Sequence, residues 1–191
     1  MRARVMAVLL VCMSPLLRAD GALASLLTPA DRTRLGGLDA TRGEALAAAR
    51  AGGDAADIAV LDAALTAESL PFDERFDPTG DWRCRVIKTG GTLPLVVYGW
   101  FRCRISDDGA GWMLQKVSGS QRTQGRFYTQ DDAHLVYVGV GFVAGESPGK
   151  YGKDAARDQV AIATRRASNR LVLEFPRPAV ESLFDVMVLE R

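Results

Sequence analysis

The chain has a single histidine, His134, ahead of the apolar run Leu135-Val136-Tyr137-Val138. A serine or cysteine hydrolase would need it as the base. No serine stands in a Gly-x-Ser-x-Gly elbow, and a zinc site would need several His or Cys ligands that the chain does not supply. Ala144-Gly145-Glu146-Ser147-Pro148-Gly149-Lys150 has the outline of a phosphate-cradling P-loop. Tyr151 stands where a Ser or Thr should hold magnesium, however, and a β-hairpin rather than a helix is expected to follow. The acid pairs Asp107-Asp108 and Asp131-Asp132 fall at turn positions, where aspartate bonds its own backbone. No catalytic residue, metal ligand or cofactor is assigned. What remains is residues 119–128, Gly-Ser-Gln-Arg-Thr-Gln-Gly-Arg-Phe-Tyr, a strand pattern with polar groups on both faces. Arg122, Gln124, Arg126 and Tyr128 alternate with Gln121, Thr123, Gly125 and Phe127. A polar interior face must meet a ligand head or a buried network, and arginine offers a planar fork for carboxylate or phosphate. Gln121, Arg122, Gln124, Arg126 and Tyr128 are therefore the candidate ligand-binding residues. The alternative is an ordinary solvent-facing strand.

The compartment follows from the first 24 residues. Met1-Arg2-Ala3-Arg4 is a basic start, residues 5–17 are apolar, and Ala22-Leu23-Ala24 places small residues at the −3 and −1 positions of a signal peptidase site. Thirteen residues of helix reach about 20 Å, short of the roughly 30 Å of a bilayer core, so the segment reads as a cleavable signal peptide cut after Ala24. The expected location is periplasmic or secreted, with no transmembrane span after cleavage. Removing the signal leaves 21 basic and 22 acidic residues, a balance that argues against a nucleic-acid partner. It also leaves two cysteines, Cys84 and Cys103. In an oxidising compartment these are expected as one disulfide, the alternative being two buried thiols.

These residues must be positioned by two kinds of element. All 14 aromatic residues lie at or after Phe72, while residues 25–70 are rich in alanine, leucine and charges. Thr28-Pro29-Ala30-Asp31 is a helix start, and apolar residues recur at helical spacing to Gly52-Gly53 despite Gly36-Gly37, which weakens the middle by about 1 kcal/mol per glycine. Asp54 caps a second helix with Ile58, Leu61 and Leu65 on one stripe. The spacing predicts a helical hairpin over 25–70. From Gly80 the period changes to two, predicting strands near 82–88, 94–106, 111–118, 121–129, 133–143, 159–166, 170–176 and 181–190. The fold class is α+β: an N-terminal helical hairpin, then an eight-stranded antiparallel up-and-down β-barrel over 71–191, with a mobile flap at 144–158. Alternation puts Trp82, Cys84 and Val86 on one side of the first strand. It groups Leu95, Val97, Phe101, Cys103 and Ile105 on one side of the second. A tight hairpin at Gly90-Gly91 would pair Cys84 with about residue 97, so a bridge to Cys103 requires a bulge or a wider loop.

Gly80-Asp81-Trp82 opening the first of eight strands is similar to the lipocalin and wider calycin barrels. That resemblance implies a lipocalin-like barrel in which Trp82 plugs one end and an arginine from the last strands, Arg177 or Arg191, covers it. The helical hairpin ahead of the barrel and the lack of a later Thr-Asp-Tyr motif are departures. A broader resemblance is carried by Phe72-Asp73, Gly80-Asp81-Trp82-Arg83-Cys84-Arg85, the run from Leu93 to Arg104, Gly119-Ser120-Gln121-Arg122-Thr123 and Arg157-Asp158-Gln159-Val160. In order, these blocks resemble the domain-of-unknown-function 4893 family of alphaproteobacteria, which implies a shared disulfide and no assigned activity. The expected function is a non-catalytic exported protein whose barrel binds a small amphipathic ligand in the cell envelope. The alternative is a protein-interaction or inhibitor module with a filled barrel and an envelope protein as partner.

Overall fold

The computed structural model describes residues 19–191. The residues assigned to the signal peptide lie mostly outside them. Among the described residues, four helices precede the barrel: α1 (Ala19–Leu26), α2 (Pro29–Gly36), α3 (Leu38–Gly52) and α4 (Ala55–Leu65). Thr28 caps α2 by accepting the Asp31 amide at 3.1 Å, with Pro29 in the first turn, and Asp54 caps α4 by accepting the Ala56 amide at 2.8 Å. The first arm of the expected hairpin is broken where the paired glycines stand. Gly37 ends α2 and begins α3, because an unbranched backbone there loses more entropy in a continuous helix than a bend does.

Eight antiparallel strands then close on themselves in sequence order: β1 (Gly80–Thr89), β2 (Leu95–Asp107), β3 (Trp112–Lys116), β4 (Gln121–Thr129), β5 (His134–Val143), β6 (Asp158–Ala167), β7 (Arg170–Pro176) and β8 (Phe184–Glu190). β1 pairs with both β2 and β8, so no edge is left open. The inward phase carries Trp82, Cys84, Ile105, Leu114, Phe127, Tyr137, Ala161, Leu173 and Leu189 into one core. The outer wall is covered unevenly. Helices α3 and α4 lay Ala45, Ala49, Leu61 and Ala64 on Ile87, Leu95, Val172, Val186 and Val188, and Leu27 packs on Val136, Val138 and Val160. This explains why β5 to β8 read as near-continuous apolar runs, being buried on both faces. The lower outer wall of β1 and β2 has no such cover and alternates arginine with the core residues: Arg83, Arg85, Arg102 and Arg104. Under α3, buried Glu174 of β7 accepts a hydrogen bond from Arg42 at 2.6 Å, tying helix to barrel.

One expectation of face is corrected. Arg85 pairs with Trp100, but Ile87 pairs with Val97, so Val86 faces two residues, Tyr98 and Gly99. This bulge reverses the phase of β2. Phe101, Cys103 and Ile105 point inward, whereas Leu95 and Val97 belong to the outer cluster beneath the helices. The same offset sets Cys103 opposite Trp82 and diagonal to Cys84, with Cα atoms 5.8 Å apart, and the two form a disulfide inside the barrel. A loop of about 20 residues closed this way stabilises by about 3 kcal/mol through the unfolded chain. Replacing both cysteines by alanine is expected to lower the urea-unfolding free energy by about that amount. An unchanged midpoint would show that the bridge constrains nothing the strands do not already hold.

Candidate functional site

The two barrel ends differ in chemistry. At the end where β1 begins, Trp82 is buried and donates its indole N–H to the Pro78 carbonyl at 2.8 Å. Arg191 lies over the Trp82 ring, 4.5 Å from its centroid, and donates to the carbonyls of Thr79 and Asp77 at 2.8 and 2.7 Å. Of the two arginines considered for this cover, Arg191 holds the position. Arg177 faces Glu44 instead, at 3.4 Å. Phe72, Phe76 and Trp112 stack edge to face beside them and complete a closed, apolar end.

At the opposite end the inward phase turns polar: Lys88 of β1, Lys116 of β3, Gln121 and Thr123 of β4, Gln159 of β6 and Asp185 of β8. They surround an open pocket of about 170 Å³ whose apolar lining comes from Val86, Phe101, Phe175 and Met187. An adjoining compartment of about 250 Å³ shares Lys88, Gln121, Arg122, Gln159, Pro178 and Asp185 with it, and reaches Glu146, Ala156 and Arg157 of the 144–158 segment. That segment is anchored at its middle. The Tyr151 hydroxyl donates to the buried carboxylate of Asp31 and accepts the Thr28 amide at 3.1 Å, and the Gly152 amide donates to Asp158 at 2.9 Å.

The pocket floor is a fixed hydrogen-bond chain. Thr123 donates to Gln159 Oε1 at 2.5 Å, which leaves Tyr137 as the donor to Thr123 at 2.6 Å. Burial raises the Tyr137 phenol well above its usual range, so it stays a donor. Its ring fits because two glycines face each other across β4 and β5: a Cβ at Gly125 would lie 2.7 Å from Tyr137 Cζ, and one at Gly139 2.5 Å from its hydroxyl. At the rim, Lys88 donates to Glu181 at 2.8 Å and to Gln121 Oε1 at 3.0 Å, and this bonding lowers the Glu181 carboxyl. Glu181 itself sits at φ 71°, a conformation L-residues rarely adopt. The β1–β2 turn presses so closely here that a Cβ at Gly91 would lie 1.8 Å from the Glu181 carbonyl oxygen. Lys116 donates to the Gln121 carbonyl at 2.6 Å, and its ammonium lies 3.8 Å from the Phe101 ring centroid. Burial, then the charges of Arg122 and Lys88, push Lys116 down to about 8. Burial raises Asp185 to about 6, against the opposing effects of the Ser182 hydroxyl and Lys88.

The five candidates from β4 are thereby divided. Gln121 and Arg122 stand at the mouth, with Arg122 Nε donating to the Gly119 carbonyl at 3.2 Å. Gln124, Arg126 and Tyr128 face outward. Gln124 accepts from Gln115 at 2.8 Å, Arg126 pairs with Asp108, and Tyr128 packs against the cluster around Leu27. His134 bonds Asp131 at 2.8 Å in its turn. Lys88, Lys116, Gln159 and Asp185 were missed. A signal for them existed, since each continues the inward alternation of its strand at the mouth end. Among the described residues, no group of three or more His, Cys, Asp or Glu is placed to hold a metal, and no helix is long and apolar enough to cross a membrane.

Comparison with known proteins adds one positive finding: residues 24–189 match a family model described as Domain of unknown function (DUF4893). None of the curated proteins matches the sequence.

The raised Asp185 carboxyl carries a testable consequence for stability. A folded-state pKa of about 6 against the ordinary 3.8 means that the folded protein holds this proton more tightly than the unfolded chain. The ionised group therefore costs stability above pH 6, and that cost fades as the pH falls towards 4. Asp185→Asn is expected to stabilise by up to about 2 kcal/mol near neutral pH, with a gain that shrinks in acid. Urea unfolding of both proteins across that range checks it, and a variant less stable at neutral pH would show that the ionised carboxylate is a structural partner.

Proposed function

This chain belongs to the DUF4893 family, and from that starting point we propose that it is a non-catalytic exported protein whose barrel mouth binds a small amphipathic ligand in the cell envelope. One observation carries the reading: the same open pocket joins an apolar floor of Val86, Phe101, Phe175 and Met187 to a rim of ionic and amide side chains. Apolar walls with a few convergent polar groups are the usual form of a small-molecule site. The volume of about 170 Å³ sets the size of the guest. An apolar cavity of about 150 Å³ accepts benzene, so a body of six to eight heavy atoms suits the inner compartment, with room for a longer tail in the adjoining one. The Tyr137–Thr123–Gln159 chain leaves the floor's polar groups satisfied before anything binds. Export is supported by the leader pattern of the sequence and by a disulfide, which persists in oxidising compartments.

The filled lower barrel supports a second reading, a protein-interaction or inhibitor module that uses its outer surface. The two differ in what happens at the pocket. Titrating labelled protein with 1-hexanol and hexanoate to about 10 mM, where binding of about 3 kcal/mol still registers, is expected to shift the amides of Phe101, Thr123 and Gln159 saturably. Val86→Phe, which fills the floor, is expected to abolish the response. Should neither compound shift these amides, the small-ligand reading falls and the interaction module takes its place.

A further inference from the structure

We infer that the ligand held in the mouth carries an anionic head group, a carboxylate or similar monoanion, seated between Lys116 and Arg122. This rests on the binding reading above and names its ligand class. Lys116 is only 5% exposed, yet among the described residues no carboxylate lies within ion-pair distance of its ammonium. A carbonyl and an aromatic face are its partners, at 2.6 and 3.8 Å, and neither cancels its charge. A buried ion without a counter-ion is costly. Of the four other buried acidic and basic side chains among the described residues, three are matched by an opposite charge, Asp31 by Arg34, Glu174 by Arg42 and Lys88 by Glu181, while Asp158 accepts the Gly152 amide at 2.9 Å.

The neighbours of Lys116 deepen the imbalance. Arg122 and Lys88 are like-charged, and Arg122 has no carboxylate partner among the described residues either. Two acids line the same pocket. Glu181 is taken up by Lys88 and Gln121 at 2.8 and 3.3 Å, and Asp185 accepts the Ser182 hydroxyl on the β8 side. Around Lys116 of β3 and Arg122 of β4 the pocket therefore holds two cations and, among the described residues, no carboxylate within ion-pair distance of either. A monoanionic head entering there can bond to both and offsets one of the two charges, while an apolar body rests on Phe101, Phe175, Val86 and Met187. A cationic head seated there would meet two unmatched positive charges, Lys116 and Arg122. Burial and like charge hold Lys116 near pKa 8, so the site loses a cation, and with it affinity for anions, as the pH passes that value.

Three probes of one chain length isolate the head group: hexanoate, 1-hexanol and hexylammonium, titrated calorimetrically on the full mature protein. Hexanoate is expected to bind at least about tenfold more tightly than 1-hexanol, and hexylammonium most weakly. Hexanoate affinity is expected to fall once the pH exceeds about 8. Lys116→Met should erase the hexanoate advantage while leaving 1-hexanol within about twofold, and Lys116→Arg, which keeps the charge, should retain it. Equal binding of hexanoate and 1-hexanol, or a preference for hexylammonium, overturns the anionic-head assignment and leaves the pocket reading standing. Failure of all three probes to bind overturns both. If Lys116→Met does not fold, the ranking of the three probes on the unaltered protein decides the question by itself.

Discussion

Barrel closure forces every second side chain of eight strands into one enclosed space, and the rest of this structure follows from how that space is filled. At one end the inward positions hold Trp82, Ile105, Leu114, Phe127 and Leu171, which close-pack and exclude water. At the other end the same phases deliver Lys88, Lys116, Thr123, Gln159 and Asp185. Groups of this kind are stable inside a barrel only where solvent or a partner reaches them. The polarity gradient along the barrel axis therefore makes one end a plug and the other a mouth.

The plug and the mouth are braced by different means. Arg191 spans from the C-terminal end of β8 to the carbonyls of residues 77 and 79 while covering the Trp82 ring, so it locks the segment entering β1 to the last strand. The mouth is shaped by backbone proximity. Gly125 and Gly139 let Tyr137 lie across the sheet, and Gly91 lets one turn press against the backbone that carries Glu181. The outer wall is braced by the helices, whose alanine-rich faces lie flat on the β-branched exterior of β7 and β8. Position and chemistry are thus separated: helices and glycines set the frame, and the inward polar residues at the mouth act within it.

Much of this was legible from residue order. The change from helical to alternating period at Gly80, the eight strands with their turns, the inward placement of Trp82 and Cys84, and the caps at Thr28 and Asp54 are local properties that neighbouring residues specify. The β2 bulge was not legible in its effect. Leu95 and Val97 share parity with Phe101 and Cys103, and only the pairing of Arg85 with Trp100 and of Ile87 with Val97 shows that the phase reverses between them. The β4 candidates fared likewise. Both faces of that strand are polar, so alternation sorted its residues into two sets without saying which set faces inward.

The sequence by itself determined the order and type of the elements, the expectation that its two remaining cysteines form one disulfide, and the polar character of one strand. The first and last of these depend on periodicity and turn chemistry, which act over a few residues. The tertiary structure alone decided which polar groups meet. Lys88, Lys116, Gln121, Gln159 and Asp185 come from five strands spread over almost a hundred residues, and only Gln121 stands out within its own segment. Closing the barrel puts them around one pocket. Charge balance is a property of that assembled space, so a lysine without a counter-ion can be recognised only after every neighbour has been placed.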